Sequence, residues 1–271
     1  MIDPIAVLIS TYNSPNFLRL VLEGYRKQSD TNFVIYIADD GSGDETSTLI
    51  KAFQADFPVP IHCIWHNDYG FRKARVHNMA IKQIVEPYVI LTDGDCIPLP
   101  RMIETHRRIA RKGHLISGGR VLLSQQWTEA VTRGASKLRS DAPIAEWLRH
   151  RLKRNINRIL PIIMPSHVGA PHQQLKGIRG CHISCWLDDL IRINGFDESF
   201  EGWGREDSDL VVRLFHAGIY RLDLRGMPVL HLWHKEEKRE QLNKNDQLLA
   251  ECLNSRRIEA IKGLKELQEA S

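Results

Sequence analysis

Apolar residues over 1–120 recur as short unbroken runs separated by stripes of helical spacing. Residues 5–10 form a run of strand length, after which Phe17, Leu18, Val21, Leu22 and Tyr25 share one side of a helix predicted over 15–28. A second run, 33–38, stops at Asp39 and Asp40; Gly41 to Asp44 then supply turn and capping residues for a helix reaching towards Phe57. Residues 61–65 predict a third strand, Gly70 opens a helix through Ile84, and 88–92 predict a fourth strand. A helix over 100–112 and a strand over 115–121 complete the series. Strand and helix alternating in this way predict an α/β fold, a mainly parallel central sheet with helices on both faces.

The rhythm stops over 124–176. Leu148, Leu152, Ile156, Ile159, Leu160 and Ile163 fall at helical spacing behind Trp147, with Arg149, Arg151, Lys153, Arg154 and Arg158 interleaved. Such a helix either lies on an anionic membrane surface or packs its apolar side inwards under a solvated basic face, and spacing leaves both open. Regular structure returns at Gly180, with helices predicted near 187–193 and 206–217 and a charged helical tail over 235–268. With no internal repeat or low-complexity linker, one domain of 271 residues is expected.

Polar residues collect where the strands end. Ser10-Thr11-Tyr12-Asn13, Asp39-Asp40-Gly41-Ser42 and Thr92-Asp93-Gly94-Asp95 each close an apolar run, and in a parallel sheet such ends share one rim, where ligands bind. Asp-Gly-Asp after a strand can hold a hard divalent cation, and the cation a diphosphate. Asp39-Asp40-Gly41-Ser42 taken singly is a helix cap; beside the first motif it becomes a hydrogen-bond acceptor for a base or ribose. The segment 70–78, GFRKARVHN, puts cations at a helix start, suited to phosphate oxygens. In 195–210, GFDESFEGWGREDSDL, Trp203 stands between two glycines with Glu206, Asp207 and Asp209 close behind, an aromatic face beside carboxylates as sugars require. His231 and His234 end another apolar run and, with the acidic turn, make an oxygen–imidazole donor set that favours Mn²⁺ over Mg²⁺.

Composition narrows the classes. A formal net charge of +4 gives no argument for nucleic acid. No run approaches the roughly 18 apolar residues of a membrane span, and the opening MIDPIAVLISTYN reads as a strand rather than a leader, so the expected location is cytoplasmic, with peripheral contact on the inner face of the membrane. Five cysteines without framework spacing suggest reduced thiols. Cys181, His182 and Cys185 raise zinc, but no second ligand pair follows at a suitable spacing, and buried or pocket-lining thiols are the better reading.

TYN, DDGS, GFRKARVHN, DGD, RGCHIS, NGFDE and GWGREDSDL, in this order over 5–120 and 177–235, resemble the family 2 glycosyltransferases of the A-type fold, inverting enzymes that use nucleotide sugars. The last block and HLWH resemble most the chondroitin-polymerase and β-1,4-galactosyltransferase branch. The resemblance implies a nucleotide-binding half (1–120), a variable basic insert (124–176), an acceptor and catalytic half (177–235) and a C-terminal tail (236–271). It implies Asp207 as catalytic base; Thr11, Tyr12, Asn13, Asp40, Phe71, Lys73, Arg75 and Asp93 along the donor nucleotide; and Trp203, Gly204, Glu206 and His182 towards sugar and acceptor. Asp95, His234 and His231 would hold the metal. The expected partners are a UDP-sugar and a glycan or lipid-linked acceptor, as in bacterial lipopolysaccharide or capsule assembly. A nucleotidyltransferase would open with a glycine-rich basic loop after its first strand, which STYNSP is not, and a membrane-binding scaffold would not need Asp207, the acidic turn and both histidines together.

Overall fold

The computed structural model describes residues 4–235 and 239–267. The elements of its first half are β1 (Ile5–Thr11), α1 (Pro15–Arg26), β2 (Phe33–Asp39), α2 (Asp44–Ala55), β3 (Ile61–Trp65), α3 (Lys73–Ile81), β4 (Tyr88–Asp93), β5 (Cys96–Ile97), α4 (Met102–Ile109) and β6 (His114–Leu122). There follow α5 (Gln125–Thr132), α6 (Ile144–Leu152), α7 (Leu160–Ile163), β7 (His167–Val168), β8 (His182–Trp186), α8 (Leu187–Arg192), α9 (Glu206–His216), β9 (Tyr220–His231) and α10 (Leu242–Ser255).

Alternation along β1 generates the layers. Ile5, Val7 and Ile9 enter one core with Leu18, Val21, Leu22 and Tyr25 of α1, while Ala6 and Leu8 enter the other with Ala74, Val76 and Ala80 of α3 and Leu210, Val211 and Leu214 of α9. Both faces of β1 are therefore buried, which is why its sequence is an unbroken apolar run. Each fully buried Leu or Ile contributes about 1.5–3 kcal/mol of transfer free energy.

The fold is α/β with helices on both faces of one sheet, ordered β3-β2-β1-β4-β8-β6-β9-β5, with β7 on β9. Parallel pairing holds through β3-β2-β1-β4 and again between β6 and β9. β8 runs antiparallel to both β4 and β6, so the sheet is mixed, its first parallel run confined to β1–β4.

Two sequence expectations are corrected. The amphipathic helix over 147–163 is not continuous: α6 ends at Leu152, Arg154 turns into the left-handed region at φ 57°, and Ile156 bridges Leu123 before the single turn of α7. Trp147 and Ile156 are buried while Leu148, Leu152 and Leu160 face solvent, so the apolar spacing belongs to two surfaces. Among the described residues the tail is helical only over α10, which stops at Arg256 in the left-handed region (φ 53°); 256–267 follow without helix. Residues 236–238 and 268–271 lie outside the described residues.

Candidate active site

Register assembles the rim. Ser10 pairs with Asp93 and Thr11 with Asp39, so the strand-end polar residues stand side by side. Asp93 Oδ1 accepts hydrogen bonds from Ser10 Oγ (2.8 Å) and Lys73 Nζ (3.0 Å). The turn after β4 returns as β5, which pairs Cys96 with His231, and Leu232 N–H donates to Asp95 O (2.9 Å). That pairing brings the second aspartate of the acidic turn to the histidines about 135 residues later.

The resulting cleft holds about 830 Å³, within the range of small-molecule sites. Thr11, Tyr12, Asp40 and Phe71, then Lys73, Asp93, Asp95, His231 and His234, and with them Trp203, Gly204, Glu206 and Asp207 all line it. Asp40 Oδ2 accepts the Arg72 N–H (2.9 Å) and its Oδ1 lies 3.0 Å from His66 Nε2. Thr11 Oγ1 is buried and has no hydrogen-bond partner among the described residues.

Asp95 Oδ2 lies 3.1 Å from His234 Nε2 and 3.6 Å from His231 Nε2. Burial raises the Asp95 carboxyl, but the hydrogen bond to His234, the charge of His231 and the Cys96 thiol outweigh it and hold it down to about 2. His234 Nδ1 lies 2.9 Å from the Lys235 carbonyl, an acceptor, so Nδ1 carries a hydrogen; Nε2 then meets the Asp95 carboxylate as a donor when the ring is protonated and as a lone pair when it is neutral. Lone pair against carboxylate is repulsive unless a proton or a cation lies between them. Asp95 and His231 lie close enough, with Cys96, to share an ion, and His234 flanks the same carboxylate oxygen, a donor set suited to a divalent cation of borderline hardness.

Asp207, second residue of α9, is held from behind by backbone: a Cβ on Gly180 would sit 1.7 Å from Asp207 Oδ2. Burial raises its pKa, Lys73 opposes, and Glu206 and Asp93 add to the rise, leaving it at about 7. Burial lowers the Lys73 pKa, yet Asp207, Asp93 and Glu206 together lift it well above its ordinary value, so Lys73 is the cation shared by three acids. Gly202 (φ 71°) and Gly204 (φ 105°) allow the loop before α9 to reverse around Trp203, whose ring Arg239 covers at 5.1 Å.

Three candidate residues lie off the cleft. Arg75 pairs with Glu198 (3.3 Å) behind α3; two positions from Lys73 is about 200° around a helix, so the two cannot face the same side. Asn13 ties loops together, its N–H donating to Ser42 Oγ (2.8 Å) and its Oδ1 accepting Gly43 N–H (3.0 Å). His182 is fully buried under Gly118, its Nε2 3.0 Å from His106 Nε2 and its Nδ1 3.2 Å from Gly119 O. One residue earlier, in the turn before β8, Cys181 lines the cleft. Cys181 and Cys185 are both buried and belong to different cores. Arg120, Arg179 and Trp233 also line the cleft. Sequence reasoning missed them; only Arg179, inside RGCHIS, and Trp233, inside HLWH, carried a signal.

Residues 6–170 match the family model described as glycosyl transferase family 2, and residues 166–235 that described as the N-terminal domain of galactosyltransferase. The chain belongs to glycosyltransferase family 2. This glycosyltransferase is 22% identical over 252 residues to chondroitin synthase of Escherichia coli, an alignment covering 85% of this chain and 35% of that protein. The chain thus spans about a third of that relative's length, and 23% of the chondroitin synthase of Pasteurella multocida. Among solved structures, S. aureus TarS matches at TM-score 0.63 and 14% identity, covering 93% of this chain and 40% of that one. Its 1–349 portion, solved in complex with UDP-GlcNAc, matches at TM-score 0.59, 13% identity and coverage of 91% and 65%. A mannosyltransferase from Pyrobaculum calidifontis, in complex with GDP-Man and Mn²⁺, matches at TM-score 0.58 and 15% identity, covering 87% of this chain and 59% of that one. Likeness at this identity shows the A-type fold. No helix among the described residues is long and apolar enough to cross a membrane.

Proposed function

We propose that this glycosyltransferase moves a hexose or N-acetylhexosamine from a UDP-sugar to a hydroxyl of a glycan or lipid-linked acceptor, inverting the anomeric centre. The observation that carries the proposal is the convergence, in one cleft, of the Asp95–His231–His234 donor set with an Asp207 carboxyl held at about 7. Nucleotide-sugar chemistry in the structural neighbours, UDP-GlcNAc in one and GDP-Man with Mn²⁺ in another, supports it.

In this reading Thr11, Tyr12, Asp40 and Phe71 bind the uridine and Asp93 lies towards the ribose, fixed by Ser10 and Lys73. Asp95, His231 and His234 hold a divalent cation, Mn²⁺ before Mg²⁺. When bound, the cation serves as a Lewis acid towards the departing diphosphate. Trp203 covers the apolar face of a sugar while Glu206 and Gly204 border its hydroxyls. Asp207 takes the proton of the acceptor hydroxyl as the new bond forms on the face opposite the leaving group. A single attack turns an α-linked donor into a β-glycoside. The setting we propose is bacterial surface-polysaccharide synthesis, lipopolysaccharide or capsule, from the cytoplasmic side.

The test is release of UDP, alone and with acceptor glycans, across a panel of UDP-sugars with Mn²⁺, Mg²⁺ or chelator, for the wild type and Asp207→Asn. One donor should be turned over, metal should be required, and the substitution should lower transfer by about 10²- to 10⁴-fold while donor binding persists. Failure to bind any UDP-sugar with metal present would overturn the donor assignment.

A further inference from the structure

The break after α6 leaves an exposed surface that the cleft does not use. Ile144, Leu148 and Leu152, spaced one helical turn apart, form a solvent-facing stripe at 56%, 47% and 83% exposure, and Leu160, beyond the break, is exposed at 69%. Core packing of α6 falls to Trp147, which stands edge-on to Trp127. Three large aliphatic side chains in one stripe are unusual on a solvated surface. Around them Arg149, Arg151, Lys153 and Arg154 are also exposed, and among the described residues none of the four is paired with a carboxylate. Glu146, the acid of this helix, is taken up by Arg139 and His150.

The patch is joined to the cleft wall. Asn157 N–H donates to Leu122 O (3.1 Å), Asn157 Oδ1 accepts the Leu122 N–H (3.0 Å), and Arg158 donates to Arg120 O (2.6 Å). Arg120, Leu122 and Leu123 line the cleft.

We propose that α6 and the segment to Leu160 form a seat for an anionic lipid bilayer. Leucines enter the headgroup–acyl boundary while the arginines meet lipid phosphates, the division of labour of an interfacial helix. A second copy of the chain fits less well, because facing two such patches would set the unpaired cations against one another. A nucleic-acid backbone offers nothing to the leucine stripe. The seat holds independently of the donor assignment; on the transferase reading it brings the cleft rim to a membrane-borne acceptor.

The test is co-sedimentation of the full chain with vesicles of phosphatidylglycerol and phosphatidylcholine, and of phosphatidylcholine alone, over a salt series. Binding should require the anionic lipid and weaken with salt. At about fivefold per cation near the surface, Arg149, Arg151 and Arg154 all to Glu should lower partitioning at least about a hundredfold, and Leu148 with Leu152 to Ser should lower it at low salt as well. Circular dichroism and donor hydrolysis should match the wild type in both variants, separating loss of the seat from loss of the fold or of the donor site. Equal binding to both vesicles, no binding to either, or partitioning unchanged in the variants would overturn the proposal. So would a wild-type dimer in sedimentation that the leucine variant dissociates, since the patch would then be a protein interface.

Discussion

Asp207 and Gly180 act as a unit at the scale of single residues. A Cβ at 180 and the carboxylate of Asp207 claim the same space, and the carboxylate is the end of a side chain that can rotate away. Gly180→Ala should therefore act on catalysis rather than on folding: kcat falls at least about tenfold, while donor affinity and the melting temperature change little. Isothermal titration with donor, beside steady-state kinetics, checks the split. The raised pKa of Asp207 also fixes the sign of two pH effects. A base must be ionised, so log kcat/KM should climb with pH through about 7, rather than near the 3.8 of an ordinary aspartate. For stability, the folded chain keeps between those values a proton that the unfolded chain has released, so this group's contribution falls as pH rises from about 4 to 7. Asp207→Asn should raise the melting temperature more at pH 8 than at pH 4, measured by scanning calorimetry in the absence of donor; an equal effect at both would mean that the carboxyl is not perturbed.

At the scale of elements, Gly118 of β6 occupies a similar position against a different neighbour. A Cβ there would lie 2.1 Å from the ring of His182, which is fully buried and lies 3.0 Å from His106 Nε2, so the ring has nowhere to rotate. Gly118→Ala should destabilise by about 1–3 kcal/mol, the usual cost of overpacking a core, read as a lower urea midpoint. Comparing 118 and 180 shows where the sequence was legible. RGCHIS marked both Gly180 and His182, yet not that one borders the cleft and the other supports the sheet from beneath, because facing depends on register. β1 to β4 and their helices announce themselves by apolar runs long enough to fill both faces of a sheet. β5, β7 and β8 are two to five residues long and pair with distant partners, so no local period betrays them. Helical spacing over 147–163 was real but ran through Arg154, whose left-handed backbone divides it, and a non-glycine residue at positive φ leaves no mark in sequence. The acidic turn, both histidines and Asp207 were legible as a set; that Arg75 turns from the cleft follows from helical phase and was legible too.

Across the whole molecule, the C-terminal segment is tied to the loop that carries Trp203. Asn245, fully buried on α10, donates to the carbonyls of Glu201 (3.1 Å) and Gly204 (2.9 Å), so the two ends of the Gly202–Gly204 reversal hang on one amide. Further along, Arg257 joins Asp197 and Asp209 at 2.9 Å each, and Ile193 O and Asn194 O accept the N–H groups of Ala260 and Leu264. Asp209 itself holds Arg213 (2.8 Å), a fully buried pair within α9, and its other carboxylate oxygen accepts a hydrogen bond from Arg257 (2.9 Å), whose charge Asp197 balances. Removing one partner of a buried charge network costs about 3–5 kcal/mol, so Arg257→Ala should lower stability by an amount of that order. Asn245→Ala should be milder for the fold and harsher for the reaction. Losing both hydrogen bonds frees the loop, and Trp203 and Glu206 no longer hold their places beside Asp207. The expected signature is a raised KM for acceptor with donor hydrolysis retained, because the residues proposed to bind uridine are carried by β1 and by the segments after β2 and before α3, which α10 does not touch through these bonds. Donor hydrolysis and acceptor transfer measured side by side distinguish the two effects; equal loss of both would mean that α10 supports the fold as a whole rather than the Trp203 loop.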